Sequence, residues 1–307
     1  MKRALVAAIL VSAVASTAWA YVRSRTAKGV GVYWTGSCAF VQPDSAGSQD
    51  MPPDQLFATV QKSLGNWQNA VGGQAYLKLM YDQPAPLEAH LDGINTIKFR
   101  SDRWCHPNDA QQKDVCYSAQ AAGITTVFFV QDGSNKAGAI LDADIELNDI
   151  NFTFANLPTT TPKRDNTDLA DLENTLTHEL GHLQGLDHTC HDPMSPAQEV
   201  DENGNPPPDC GKLYALPMAE QMKIIDATMY NFASAGETKK RAPKPDDVAG
   251  IANAYPPPND PGSCKHTNLD DFKSHGCSMG GQAPHPLAVL ALYSLSVVAL
   301  VARRRRG

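Results

Sequence analysis

The spacing of apolar side chains divides residues 29–255 into strand-like and helix-like stretches. Alternating or short apolar runs predict strands at 29–41, 76–81, 94–100, 124–130 and 140–147, with turn-forming Pro, Gly, Asn and Asp residues between them. The order is one strand, a helix and then four strands. This order predicts an α+β chain with a mixed sheet and a helix packed on one of its faces.

Apolar residues three or four positions apart predict the helices. The first opens at Pro52-Pro53-Asp54, and the second covers residues 169–184 with Thr167 or Asp168 as its cap. Two more are predicted at 218–232 and 246–255, whereas residues 189–217 are rich in Pro, Asp, Asn and Gly and are expected to form an irregular loop. The stripe that defines the first helix consists of Leu56, Val60, Leu64, Trp67 and Val71.

The first 20 residues have the three parts of a secretory signal. Lys2-Arg3 precedes an apolar run from Ala4 to Val14, and Ala18-Trp19-Ala20 matches the small-x-small pattern of a cleavage site. The apolar run is too short to span a bilayer. We therefore expect a signal peptide over residues 1–20, export, and a mature chain that begins near Tyr21.

The last 31 residues have a different tripartite pattern. Cys277 precedes an apolar run over residues 287–302, and the arginines 303–306 follow it. The pattern resembles the MYXO-CTERM sorting tails of myxobacterial surface proteins, which implies a sorting tail over 277–307 with Cys277 as a processing or lipid-attachment residue. A plain membrane anchor is the alternative, and in either case the tail is the expected membrane contact, preceded by a linker over 257–276.

Six cysteines are left once Cys277 is set aside, and an even number suits a disulfide framework in an exported chain. Pairing of near neighbours would join Cys105 to Cys116 and Cys190 to Cys210, and would leave Cys38 to pair with Cys264. Fifteen connectivities are possible for six cysteines, so this pairing is one hypothesis among them.

The charge balance argues against nucleic acid as a partner. Six of the 26 basic residues lie in the two end segments and none of the 33 acidic residues does, which leaves 20 against 33 between Tyr21 and Gly276, a net charge of −13. A strongly acidic surface repels phosphate backbones.

One string carries the candidate chemistry: His178-Glu179-Leu180-Gly181-His182-Leu183-Gln184-Gly185-Leu186-Asp187-His188. Residues four apart lie on one face of a helix, so His178 and His182 can direct their imidazoles at one metal ion. Gly185 falls where the helix should end, and a left-handed glycine there would bring His188 back as a third ligand. Three histidines leave the fourth tetrahedral position of zinc to water, which is the arrangement of a catalytic site.

Glu179 is the candidate catalytic base because it is adjacent to the first ligand. Bound zinc lowers the pKa of water toward about 7, and Glu179 would take the proton and later pass it to the departing amine. The H-E-x-x-H core alone occurs by chance on ordinary helices, but Gly and His at two further fixed positions make a chance match roughly 500-fold rarer. The sequence therefore predicts Zn²⁺ at His178, His182 and His188.

The same string matches the extended metzincin motif H-E-x-x-H-x-x-G-x-x-H and most resembles the matrixin branch. The resemblance implies a zincin-type α+β domain over residues 21–256, with a mixed five-stranded twisted sheet, two long helices and a smaller irregular C-terminal lobe after the active-site helix. Metzincins place a methionine in a tight turn beneath the metal. Met194, close behind His188, is the expected counterpart, and Met218 is a weaker rival.

Two further segments, residues 140–148 and 246–255, also resemble matrixin-like proteins. The family topology implies that 124–130 is an exposed edge strand that pairs with the substrate backbone, with a buried strand as the alternative. Asp142, Asp144 and Glu146 offer possible calcium ligands, as carboxylates do in some relatives, but we favour an alternating solvated face for them.

The leading hypothesis is an exported zinc metalloendopeptidase, at the cell surface or secreted, that acts on protein or peptide substrates. One alternative is a non-catalytic zinc-containing surface module, against which Glu179 argues, because metal binding alone needs no carboxylate there. The other is a zinc hydrolase of small amide or peptidoglycan bonds. An open edge strand would favour protein substrates, and a closed narrow pocket would favour small ones.

Overall fold

The computed structural model describes residues 20–107, 114–131, 134–158, 168–192, 200–201 and 204–272, together with the backbone of 289–297. Residues 1–19 of the expected signal peptide, Met194, Cys277 and the final arginines lie outside these ranges. The strands are β1 (Val22–Arg23), β2 (Cys38–Pro43), β3 (Lys78–Tyr81), β4 (Asn95–Arg100), β5 (Cys105–His106), β6 (Val115–Cys116), β7 (Ala121–Val130), β8 (Ile140–Asn148), β9 (Phe152–Ala155), β10 (Asp168–Asp171), β11 (Leu186–Asp187) and β12 (Val289–Val297). The helices are α1 (Pro53–Val71), α2 (Leu172–Leu183), α3 (Met218–Asp226) and α4 (Pro245–Ala254).

Five strands form a mixed sheet in the order β7-β8-β4-β2-β3. β8, β4, β2 and β3 run parallel to one another, and β7 is antiparallel to β8. β12 adds a sixth strand, antiparallel to β7, at the edge of the sheet. The prediction of an α+β chain with a five-stranded mixed sheet is confirmed.

The predicted stripe of α1 forms the centre of the hydrophobic core. All five of its apolar residues are buried, and α1 lies against α2. Trp67 adds a specific tie, because its indole Nε1 donates to the carbonyl of Thr177 in α2 at 2.7 Å. Full burial of a large apolar side chain contributes about 1.5–3 kcal/mol, so this stripe accounts for much of the attachment of the helix layer to the sheet.

Three element boundaries differ from the prediction. Residues 29–37 form isolated bridges instead of a ladder, so the first strand of the sheet begins at Cys38. α2 begins at Leu172, because Leu169 and Ala170 pair with β9 and the cap is Asp171, whose carboxylate accepts from the amide of Asn174 at 2.8 Å. α3 ends at Asp226, well before residue 232.

The expectation of a solvated acidic face on β8 is wrong. Asp142, Asp144 and Glu146 are all fully buried. Asp142 accepts backbone N–H groups from the 92–93 loop at 2.8 and 2.7 Å, and Glu146 is paired with Arg100. Burial raises the pKa of Asp142 to about 7 and that of Asp144 well above its usual range. A neighbouring strand and loop supply polar partners for these carboxylates, so the alternation of acidic and apolar residues along β8 does not mark a solvent-exposed face.

Glu146 also accounts for the burial of His106. His106 Nδ1 lies 2.9 Å from a carboxylate oxygen of Glu146, and the Tyr117 hydroxyl donates to the same oxygen at 3.0 Å. Both residues belong to the short hairpin of β5 and β6, which the Cys105–Cys116 disulfide closes. The hairpin is thus attached to the sheet through a buried carboxylate.

All three expected disulfides are present, joining Cys38 to Cys264, Cys105 to Cys116 and Cys190 to Cys210. The first holds the segment after α4 against β2, where the His266 ring stacks on Phe40 with centroids 3.9 Å apart. Residues 257–272, assigned above to a linker, therefore pack on the domain. Three disulfides indicate folding in an oxidising compartment outside the cytosol.

The membrane prediction for the tail rests on residues that are mostly outside the described part of the chain. Among the described residues, no helix is long and apolar enough to cross a bilayer. The central part of the apolar run, residues 289–297, forms strand β12.

Candidate metal centre

The helix that carries the motif is held at both ends by polar contacts. Asp171 caps its start, and the indole of Trp34 donates to the carbonyl of Leu183 at its end, at 2.8 Å. All 12 residues of α2 are buried, including the histidine face that the leucine stripe leaves free. The side chains of this face are therefore held in the interior of the domain, where contacts with neighbouring residues set their orientation.

Gly185 reverses the chain after α2, as the sequence predicts. Its φ is +92°, in the left-handed region that favours glycine. A Cβ at this position would also lie 3.0 Å from the carbonyl oxygen of Val32, so the turn leaves no space for a side chain. The Gly185 amide donates to the carbonyl of His182 at 2.8 Å, and the chain then passes through β11 to His188.

The structure brings the three predicted ligands together. His178, His182 and His188 each offer a ring nitrogen within 4.8 Å of the others, and the Nε2 atoms of His182 and His188 are 3.1 Å apart. Zinc–nitrogen bonds of about 2.0–2.1 Å in a tetrahedron place two nitrogens about 3.3 Å apart. The spacing of these two atoms therefore suits a shared zinc ion.

Backbone carbonyls fix the ring orientation of two ligands. Nδ1 of His178 lies 2.6 Å from the carbonyl oxygen of Thr228, and Nδ1 of His182 lies 2.9 Å from that of Leu186. A carbonyl can only accept, so each Nδ1 carries the proton and each Nε2 carries the lone pair. Outer partners of this kind set the tautomer of histidine ligands in metal sites.

The burial of the histidines favours their neutral, metal-binding form. Burial lowers the pKa of His182 to about 4 and lowers those of His178 and His188 well below the usual value. Nε2 of His178 is buried and has no hydrogen-bond partner among the described residues. An orphaned buried nitrogen is costly unless a ligand satisfies it, so the donor set fits a metal ion such as zinc.

Glu179 follows His178 on α2 and is fully buried. Its Oε2 accepts a hydrogen bond from the Thr125 hydroxyl at 2.7 Å, which places the carboxylate beside β7. Gly123, two residues earlier on that strand, leaves the space that the carboxylate occupies, because a Cβ there would lie 2.8 Å from Oε1. Thus β7 positions the candidate base, whereas α2 positions the ligands.

A methionine that the sequence analysis did not consider lies against the ligand helix. Met229 is fully buried, and a Cβ on Gly181 would overlap its sulfur. Met229 follows Thr228, the residue whose carbonyl orients His178. Met218, the weaker rival, is 71% exposed, and Met194 lies outside the described residues, so its assignment stays a prediction.

The residues that shape the turn of Thr228 and Met229 are far apart in the sequence. The amides of Thr228 and Met229 donate to the Asp247 carboxylate at 2.8 and 3.1 Å, so a residue of α4 shapes the turn. Met194 was expected in this role because it is close in sequence to His188. The contact of Met229 with Asp247, 18 positions further on, leaves no local pattern that would have pointed to Met229.

The site thus combines three convergent imidazoles, a buried carboxylate next to the first of them on α2, and a buried turn that packs against the same helix. Such a set can hold one divalent metal and accept a proton beside it. Comparison with known proteins adds no family to this geometry, because no protein-family model and no curated protein matches the chain.

Proposed function

We propose that this chain is an exported zinc-dependent endopeptidase of the metzincin type, similar to matrixins. The observation that carries the proposal is the convergence of His178, His182 and His188, with the buried Glu179 next to His178 on the same helix. A site that only bound metal would gain nothing from burying this carboxylate, since an uncompensated buried charge is costly. A catalytic base, in contrast, has to be there.

Zinc, when bound, supplies a Lewis acid that polarises a peptide carbonyl and acidifies water. The chain's own contribution is to hold and move a proton. The Thr125 hydroxyl fixes Oε2 of Glu179, so this carboxylate keeps one orientation as it accepts the proton of the attacking water. Glu179 then delivers the proton to the amine nitrogen of the leaving peptide.

The position of β7 supports an extended protein substrate. This strand contacts Glu179 through Gly123 and Thr125, so a peptide paired with the other edge of β7 would pass the base. Peptides commonly bind by adding a strand to a sheet edge. In the structure that edge is paired with β12, and a substrate would have to take its place.

Two features support the metzincin interpretation in particular. The third ligand follows a glycine reversal, and the buried Met229 packs against Gly181 of the ligand helix, which makes Met229 a candidate for the methionine of a metzincin turn. The expected signal peptide and the oxidised cysteines support action outside the cytosol, either at the cell surface or in secreted form.

The test is cleavage of unfolded casein by the mature chain, both intact and truncated after Gly276. We expect one zinc per chain, and cleavage that a chelator abolishes and zinc restores. Glu179→Ala should keep zinc and lose about 10²–10⁴-fold in rate. His188→Ala should lose zinc, whereas His191→Ala is the matched control, because His191 lies three residues further on and outside the ligand set.

Two other outcomes would replace the proposal. If zinc binds but casein, gelatin and a peptide library all stay intact, the chain is a zinc-containing binding module. If only small amides or peptidoglycan fragments are hydrolysed, it is a zinc hydrolase of narrow specificity.

A further inference from the structure

Lys240 is a buried lysine close to the metal centre. Only 3% of its surface is exposed, and burial lowers its pKa to about 8. Its ammonium donates to the main-chain carbonyl of Tyr230. A buried charge usually costs folding free energy, and replacing it by an apolar side chain of similar size is often neutral or stabilising. Stability therefore does not explain a lysine at this position.

The partner of Lys240 belongs to the turn beneath the histidines. Tyr230 directly follows Met229 and Thr228, and the Thr228 carbonyl orients His178. On its other side the turn is held by Asp247, which accepts the amides of Thr228 and Met229. A buried anion thus holds the N–H groups of the turn, and a buried cation holds its carbonyl end.

Lys240 also contacts the ligand helix. Its backbone amide donates to Oδ1 of Asn174 at 2.7 Å, and Asn174 lies one helical turn before His178. One residue therefore contacts both α2, which carries His178, and the turn, which fixes the ring of His178. A shift of the turn relative to α2 would have to break one of these two contacts.

We propose that Lys240 is a positioning residue of the metal centre, which holds the turn 228–230 in register with the ligand helix so that His178 keeps its metal-binding orientation. This inference rests on the proposed zinc site. Lys240 positions His178 through the turn and its Thr228 carbonyl, and, in addition to burial, its nearby positive charge also lowers the pKa values of the three ligand histidines.

The test is the rate of zinc release from the intact chain into excess chelator. Lys240→Met keeps the length of the side chain but removes the donor, and we expect release about 10-fold faster, the low end of the effect of outer partners of metal ligands. Lys240→Arg keeps a charged donor and should release zinc within about 2-fold of the wild-type rate.

Lys239→Met is the matched control. Lys239 is the neighbouring lysine, and its Nζ donates to the carbonyl of Ile225 in α3 at 2.7 Å; it meets the turn at the Tyr230 ring, 5.6 Å from the centroid, and not at the Tyr230 carbonyl that Lys240 holds. Its removal should leave zinc release unchanged. Thermal unfolding of the metal-free proteins is measured alongside, and the Lys240→Met protein should be at least as stable as the wild type.

Equal zinc release by Lys240→Met, Lys239→Met and the wild type would overturn the proposal and leave Lys240 as a packing residue. If Lys240→Met does not fold, zinc release is measured for Lys240→Gln instead. The glutamine side chain is one atom shorter than lysine, so its amide cannot reach the Tyr230 carbonyl. Faster release from it supports the positioning role, and wild-type release refutes it. Failure of the wild type to bind zinc would instead refute the proposed function.

Discussion

Gly123→Ala is the sharpest test of how Glu179 is positioned. A Cβ at residue 123 would lie 2.8 Å from Oε1 of Glu179 and 3.1 Å from its Cδ and Cγ. Ordinary van der Waals contacts of a Cβ lie at 3.4–4 Å. The Thr125 hydrogen bond at 2.7 Å holds the other carboxylate oxygen, so the side chain cannot move away without loss of that bond.

The expected displacement of the carboxylate is therefore about 0.5–1 Å. A misplacement of about 1 Å in a catalytic group can cost 10²-fold in rate, which corresponds to about 2.7 kcal/mol of transition-state stabilisation. Overpacking should also lower the free energy of unfolding by about 1–3 kcal/mol. Zinc affinity should be unchanged, because the added methyl group meets Glu179 and not the histidines.

The assay compares kcat/KM on a fluorogenic peptide with zinc content and thermal unfolding. Gly65→Ala is the control, because it makes the same chemical change in α1 where a Cβ has no atom within 4 Å. It should leave activity unchanged and stabilise the helix by up to about 1 kcal/mol. A Gly123→Ala protein that holds zinc and cleaves at the wild-type rate would show that this contact does not set the position of Glu179.

Three other expectations concern parts of the fold outside the site. Asp142 has a folded pKa of about 7, above its unfolded value, so its protonated form contributes stability below about pH 4 that is lost as pH rises through 7. Asp142→Asn cannot lose this proton. Between pH 5 and pH 8 its free energy of unfolding, measured by denaturant titration, should therefore fall less than that of the wild type, by up to about 1.4 kcal/mol per pH unit. The same scans with calcium added test whether a cation can neutralise Asp142 in place of the proton. Truncation after Gly276 removes β12 and should raise casein cleavage, unless substrates do not use the β7 edge. Cys264→Ser opens a loop of 226 residues and should lower the free energy of unfolding by about 3–5 kcal/mol, measured by urea titration against the wild type.

The parts of the fold with a local pattern could be predicted from the sequence. The α1 stripe, the strands of the mixed sheet, and the ligand spacing with its glycine reversal all follow from side-chain periodicity or from a single special residue. Cysteine pairing was confirmed because near neighbours in sequence formed two pairs and left one choice for the third.

Features that depend on distant partners could not be predicted. Asp142 and Asp144 alternate with apolar residues as a solvated strand face does, yet backbone amides from the 92–96 region bury them. The turn around Met229 is shaped by Asp247, and the helix before it ends at Asp226. In both cases polar side chains form hydrogen bonds with main-chain groups that are distant in the sequence, and such contacts leave no periodic pattern of residues.

The Cys38–Cys264 disulfide bears on how this molecule would withstand proteolysis, including its own. It joins two residues 226 positions apart and encloses α1, the sheet strands β2 to β8 and the whole ligand string. A single cut of the backbone anywhere between these cysteines leaves both pieces covalently joined. A nicked molecule would then migrate as one chain until its disulfides are reduced, and its severed ends would stay at the high mutual concentration that favours reassembly.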